Sequence, residues 1–379
     1  MGGNLGCGTP IEPVIAKRSN ITIEIVKRMG ETRGSSWARK GKGWFLEFRP
    51  IPVLLWSYTA VVLGTALAFA EGGIFDAWRF AIALALGGLI QGWETHSINE
   101  IYDWRSGTDR LGGMRALSGG SKVLSLGLLE ERDLWIIFVA SSVAVGILAT
   151  WVAVNLAWWL ALIVATGYFL GLAYTIPPVA TAYRPFTGEW LGAFPGVLLA
   201  GIGAYAIQAL SISWTSIIAL SAHALVCCGM LVVHHYLDAP MDAAASPPKR
   251  TTVVALGPRA SVAYASGMAA LAAGLYAVLG ILVHPAFLLG AAVTVPAVWV
   301  HAHTQPWDLR PVTRNELRVI QLGIAAGLAT AVALAPPLWP VLPLAVAGYL
   351  AHLMVVSPPS ELARAWRRAP EGSAGRRES

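Results

Sequence analysis

Two stretches of this 379-residue chain gather oxygen-rich side chains at helical spacing. The first reads Asn99-Glu-Ile-Tyr-Asp103-Trp-Arg-Ser-Gly107-Thr-Asp109. Asn99 and Asp103 are four apart and Glu100 and Asp103 three apart, so a helix stacks all three on one face. Gly107 breaks such a helix and lets Asp109 turn back toward the same point. The second stretch reads His234-His-Tyr-Leu-Asp238-Ala-Pro-Met-Asp242, with Lys249 and Arg250 following. Asp238 and Asp242 repeat the spacing of four, although Pro240 between them must kink or restart the helix. Hard oxygen ligands of this kind suit Mg²⁺, which keeps several waters and binds through one or two carboxylates plus substrate phosphates. Two metal ions clamped between the clusters would hold a diphosphate, with Lys249 and Arg250 neutralising the rest of its charge. Taken alone, the first cluster also reads as a solvated helix cap. His234, His235 and Asp238 together invite zinc, but a third soft ligand is absent.

Composition indicates which elements carry these clusters. The chain is 56% apolar and only 13% charged, with mean hydropathy +0.60, whereas soluble domains carry about 25% charged residues. Apolar runs near the bilayer-crossing length of about 20 residues recur along it. They fall at 51–70, 80–98, 134–151, 157–176, 190–210, 217–233, 260–283, 287–300, 319–335 and 338–356. Backbone groups cannot stay unpaired in hydrocarbon, and the runs lack the alternation of a membrane barrel. The expected fold is therefore all-α, a polytopic membrane bundle of nine to ten transmembrane helices.

If all ten runs cross, every one of the 27 lysines and arginines except Arg79 falls on one side. The positive-inside rule makes that side the cytoplasm, together with both termini and the acidic loops 99–133 and 234–259. The isoelectric point near 9.3 then reflects topology and anionic lipid headgroups. No basic–aromatic module accompanies it, so nucleic acid is not an expected partner. Acidic residues at the ends of apolar helices are costly to keep there and usually functional. The three cysteines, Cys7, Cys227 and Cys228, build no disulfide framework and read as small packing residues. Residues 1–43 lack the apolar core of a signal peptide and are expected to form a basic, flexible cytoplasmic tail. Residues 44–357 then form the membrane domain, and 358–379 a second basic tail.

At this point the residues resemble a known family. Asn99-Glu-x-x-Asp103-x-x-x-Gly-x-Asp109 is similar to the first aspartate-rich motif of the UbiA prenyltransferase superfamily, and its Gly-x-Asp is most like the 1,4-dihydroxy-2-naphthoate prenyltransferases of menaquinone synthesis. Asp238-x-x-x-Asp242, with Lys249-Arg-Thr251 and Leu256-Gly257, resembles the second motif. Trp44-Phe-Leu-Glu-Phe-Arg49-Pro50, Gly119-Gly-Ser-Lys122, Gly171-Leu-Ala-Tyr174 and Tyr183-Arg184-Pro185 resemble the connecting segments, so the likeness covers roughly residues 44–335. It implies a helical bundle around a central cavity capped by the two loops, with a polyprenyl diphosphate ionising beneath Mg²⁺ and an aromatic acceptor such as dihydroxynaphthoate receiving the prenyl group. It carries Asn99, Glu100, Asp103, Asp109, Asp238 and Asp242 to the metal positions, Asp103, Asp238 and Tyr174 to catalytic ones, and Arg49, Lys122, Arg184, Lys249 and Arg250 to substrate binding.

Four features depart from the family pattern. Glu100 replaces an aspartate, His234-His235 stands where Asn-Asn is common, Pro247-Pro248 lengthens the second loop, and a tenth apolar run is present. The departures keep open a terpene cyclase that uses the same metal site and quenches the cation without an acceptor. A transporter or lipid-binding protein also explains intramembrane carboxylates. It does not explain two acidic clusters at helix ends of one face, each backed by cations.

Overall fold

The computed structural model describes residues 36–109 and 120–356. The expectations for the tails at 1–35 and 357–379, and for residues 110–119 of the first loop, lie outside these described residues. Among them every regular element is helical.

Residues 36–43, expected to belong to the tail, are helical instead. They open α1 (Ser36–Phe48). Its inner side buries Leu46 and Glu47, while Trp37 and Trp44 face outward. Lys40 ties the helix to the start of a later one through Asp133, 2.7 Å away. The basic composition that reads as tail is thus the outer face of an amphipathic helix.

Arg49 adopts a left-handed backbone (φ 51°), and the chain re-enters helix at Pro50, where a missing N–H costs nothing. The next helix, α2, runs over 50–72, and α3 follows over 77–106. Then come α4 (Glu131–Asn155), α5 (Leu160–Thr175), α6 (Gly188–Ala209) and α7 (Trp214–His234), two short pieces α8 (Ala239–Ala244) and α9 (Thr252–Leu256), and α10 (Pro258–Leu282), α11 (Phe287–Ala302), α12 (Leu309–Leu334) and α13 (Val341–Val356). Each of the ten apolar runs corresponds to one helix of this series. Seven helices among the described residues are long and apolar enough to cross a membrane, and Leu160–Thr175 and Phe287–Ala302 are apolar but shorter.

Helices α2, α6, α7, α10, α11 and α12 share the main core. Without a hydrophobic drive between helices in lipid, close backbone approach matters more. At Gly64 of α2 an added Cβ would strike the carbonyl of Gly201 on α6, so this pair must be small. Buried Leu and Ile fill the centre, while Val143, Ile147, Leu162, Ile281 and Leu344 project outward, the inverse of a water-soluble surface. The last helix joins the bundle at the α1–α2 junction, where the Ile51 amide donates to His352 Nδ1 at 3.1 Å.

Three helices carry a stretch of wider π-helix, at Leu54–Tyr58, Gly88–Thr95 and Gly188–Ala193. Such stretches shift a helix face relative to its neighbours and recur at functional sites. Here each contributes to the wall of one internal cavity, through Trp56 and Ser57, Ile90 and Gln91, and Gly192 and Ala193.

Candidate active site

The end of α3 places the first acidic cluster. Gly107 caps it in the left-handed conformation (φ 87°), and the Asp109 amide reaches back to the Asp103 carbonyl at 3.3 Å. The turn expected from Gly107 therefore forms and brings Asp109 beside Asp103. Glu100 and Asp109 also converge: a Cβ on Gly120, itself at φ 74°, would collide with a carboxylate oxygen of each. Lys122, held at φ 60°, approaches Asp109 Oδ1 at 3.4 Å.

The second cluster forms as the proline dictates. Helix α7 stops at His234, and the chain restarts at α8 with Pro240 in its first turn and Asp238 as the preceding cap. Asp242 stays on the first turn, its amide donating to the Asp238 carbonyl at 2.8 Å. The loop through Pro247 and Pro248 returns Lys249 to the same place, where its amide donates to the Asp242 carbonyl at 2.8 Å. Lys249 Nζ then donates to Asp103 Oδ2 at 2.7 Å, while Tyr183 donates its hydroxyl to Asp103 Oδ1 at 2.6 Å. One buried lysine thus joins two loops that are far apart in sequence.

The electrostatics follow from burying five carboxylates around two lysines. Burial pushes the Glu100 carboxyl up to about 7, with the Glu47 charge adding to it. Burial together with Glu100 and Asp103 pushes Asp109 up to about 8, against the opposing pull of Lys122 and Lys249. Asp242 rises to about 7 by burial, and Lys249 resists the rise. Burial works against the Lys249 charge, but Asp103 and Asp242 outweigh it and hold the ammonium above the ordinary lysine range. The cluster is short of positive charge, and a cation would relieve it.

Of the residues expected from sequence, Arg49, Asn99, Asp103, Asp109, Lys122, Tyr174, Asp238, Asp242 and Lys249 all line the one cavity. Three do not. Glu100 is buried behind the wall, where it accepts the Ser121 amide at 2.8 Å and holds the loop. Arg184 is exposed and donates to the Pro178 carbonyl at 2.5 Å. Arg250 is also exposed, and its amide donates to the Tyr183 carbonyl at 3.2 Å. Neither arginine lines the cavity, while their neighbours Tyr183 and Lys249 both bond Asp103. Below the charged mouth the cavity continues between Val61, Ala83, Ile163, Val164, Ala204 and Ile207. Charged groups therefore sit at one end of an apolar chamber.

The oxygen donors at this mouth fit a divalent cation. Asp109 Oδ2 and Asp242 Oδ2, which line the cavity, are buried with no hydrogen-bond partner. Among the described residues no three His, Cys, Asp or Glu side chains form a ready-made cage. That suits Mg²⁺, which takes few protein ligands and completes its shell with water and phosphate oxygens. Zinc on His234, His235 and Asp238 is not supported, because His234 Nδ1 is engaged by Glu316 Oε1 at 2.7 Å.

Sequence reasoning missed several participants. Glu316 comes from α12 and is 1% exposed. Glu47 accepts the Ser121 hydroxyl at 2.6 Å and braces the Lys122 loop. Glu189 accepts the Thr252 hydroxyl at 2.8 Å and ties α6 to α9. An acid at the edge of an apolar run was the available signal for Glu189, whereas Glu316, flanked by Arg314, Asn315 and Arg318, reads as part of a solvated charged turn.

The UbiA prenyltransferase family matches residues 57–322. A 1,4-dihydroxy-2-naphthoate octaprenyltransferase of Bacillus subtilis (strain 168) is 29% identical over 146 residues, covering 38% of this chain and 44% of that relative. The match therefore spans less than half of that relative's length. A UbiA homolog from Archaeoglobus fulgidus, solved bound to GPP and Mg²⁺, superposes with a TM-score of 0.55 at 18% identity, covering 76% of this chain and 99% of the homolog. The apo structure of a UbiA homolog from Aeropyrum pernix K1 gives a TM-score of 0.52 at 19% identity, over 74% of this chain and 96% of that one. At these identities the structural likeness speaks to fold.

Proposed function

The chain belongs to the UbiA prenyltransferase family, and from that premise we propose that it is a Mg²⁺-dependent intramembrane prenyltransferase. It moves a polyprenyl group from its diphosphate to an aromatic, quinone-precursor acceptor. The observation that carries this reading is a cavity lined by lysines and carboxylates at one end and by apolar walls beneath. A prenyl diphosphate has the same two-part character. The naphthoate octaprenyltransferase relative supports the aromatic acceptor, and the GPP and Mg²⁺ bound to the archaeal homolog support the donor and the metal.

Asn99, Asp103, Asp109, Asp238 and Asp242 would hold Mg²⁺, which when bound neutralises charge developing on the departing diphosphate. Lys249 and Lys122 place fixed ammonium groups at the same point and need no reorganisation as the bond breaks. The apolar walls exclude water from the allylic cation. Tyr174 also lines the cavity, and its aromatic ring would stabilise that cation. Every lysine and arginine but Arg79 falls on one side if all ten apolar helices cross, a bias that supports a cytoplasmic side for both termini and the cavity mouth.

The test incubates purified protein with Mg²⁺ and prenyl diphosphates of increasing length, with and without dihydroxynaphthoate, and analyses organic extracts and released diphosphate. Prenylated acceptor with stoichiometric diphosphate is expected. Diphosphate and a cyclic hydrocarbon formed without acceptor would refute the transferase and favour a cyclase.

A further inference from the structure

The proposed reaction leaves one buried pair in the cavity wall unused. His234, at the last turn of α7, and Glu316, on α12, meet at 2.7 Å between Nδ1 and Oε1. Glu316 is 1% exposed and His234 keeps 16% of its side chain accessible, and both line the cavity. The other ring nitrogen, Nε2, has no hydrogen-bond partner among the described residues. A carboxylate bonded to Nδ1 fixes the tautomer that leaves a lone pair on Nε2, and it stabilises the imidazolium once a proton arrives there.

Position distinguishes this pair from a simple tie between two helices. His234 stands one turn before Asp238, at the level where the charged mouth meets the chamber. Its neighbours besides Glu316 include His96, which also lines the cavity, and His235, whose ring centroid lies 5.9 Å away. Neither supplies a second carboxylate, so Glu316 is its acidic partner on α12, with Asp238 the next acid along its own chain.

The geometry points to His234 as the general base that takes the ring-hydroxyl proton of the aromatic acceptor, with Glu316 as its positioning residue. This inference rests on the prenyl-transfer reading. As the C1–O bond of the donor breaks and its electron pair leaves with diphosphate, a ring carbon of the acceptor bonds to C1. The hydroxyl O–H bond gives its electrons to the ring, and the proton passes to Nε2 of His234. The ring is left as a dienone. Loss of CO₂ from the substituted carbon, or of its H⁺ to the released diphosphate, restores aromaticity while His234 returns the proton to oxygen. The base is then free for the next turnover.

The test compares wild type, His234→Gln and Glu316→Gln with Mg²⁺, one prenyl diphosphate and two hydroxylated acceptors. One acceptor keeps its hydroxyl protonated at the assay pH and the other is already ionised. With the protonated acceptor, His234→Gln is expected to lower kcat by about 10²-fold, the scale of a lost general base, with donor KM unchanged. With the ionised acceptor the defect should nearly vanish, a selectivity that mere loss of packing cannot produce. Glu316→Gln, which keeps a hydrogen-bond acceptor for Nδ1 but loses the charge, should show the same selectivity at smaller amplitude. If His234→Gln does not fold, Glu316→Gln carries the comparison. Equal defects with both acceptors, or none with either, would overturn the assignment and leave prenyl transfer standing. A wild type that couples no acceptor to any donor would overturn both.

Discussion

Lys249 offers the sharpest test of the site. Its ammonium lies 2.7 Å from Asp103, and the two side chains are 8% and 6% exposed, so neither charge has much water. Replacing Lys249 by Met keeps the length of the stem and strands Asp103 beside Asp109 and Asp242, which are themselves pushed up by burial. Breaking one partner of a buried pair costs about 3–5 kcal/mol, whereas removing both is often close to neutral. Lys249→Met should therefore destabilise the metal-free protein by about 3–5 kcal/mol, and Lys249→Met with Asp103→Asn by much less, giving a coupling of up to about 3 kcal/mol. Mg²⁺ should recover part of the stability, since it supplies charge to the same carboxylates. It should not recover turnover, which falls by about 10²–10³-fold when one preorganised donor to a leaving group is lost. The assay is chemical unfolding in mixed micelles with and without Mg²⁺, paired with diphosphate release. A loss below about 1 kcal/mol for Lys249→Met would place the pair among solvated surface bridges and refute the reasoning.

Asp238→Asn should abolish turnover while leaving expression and melting temperature near wild type; near-normal product formation would remove it from the metal set. Arg184→Ala and Arg250→Ala should keep kcat within a few-fold of wild type, because both side chains are exposed and outside the cavity; a large loss in steady-state assays would show that a loop turns them inward. Glu100, Asp109 and Asp242 are held near 7, 8 and 7. Folded values above the ordinary carboxylate range mean that the folded protein binds more protons than the unfolded chain, so without metal its stability falls as pH rises from about 4 to 8. Mg²⁺ needs Asp109 and Asp242 deprotonated, so the melting-temperature gain from adding it should grow between pH 6 and 8; a gain independent of pH would argue against these two as ligands. Gly196 and Gly167 line the cavity, and a Cβ at either meets nothing within 4 Å. Gly196→Leu should therefore fit without strain and shift donor preference toward shorter chains, which competition between prenyl diphosphates would reveal.

Much of this protein was legible in one dimension because the membrane simplifies the physics. Apolar runs must become helices, basic residues must avoid one side, and spacings of three and four put neighbours on one face. Those rules, with Gly107 and Pro240 as breakers, yielded the helical runs, the turn, the restart and six cavity residues (Asn99, Asp103, Asp109, Asp238, Asp242 and Lys249), whereas Arg49, Lys122 and Tyr174 came only from the family resemblance. The same rules misplaced residues 36–43 because a basic amphipathic helix and a basic tail share a composition.

Tertiary structure alone decided which charges point inward. Lys249 and Arg250 are adjacent, yet one is buried against Asp103 and the other is exposed. The chain turns tightly here, with the Thr251 amide donating to the Lys249 carbonyl at 3.0 Å, and only the docking of that loop on α3 says which side chain enters the cavity. Glu316 meets His234 across 82 positions, because α12 packs beside α7 at one particular rotation. Spacing along a chain governs contacts within one helix. The partners of a buried charge are set by the packing of several helices around a shared chamber, and no local pattern records that packing.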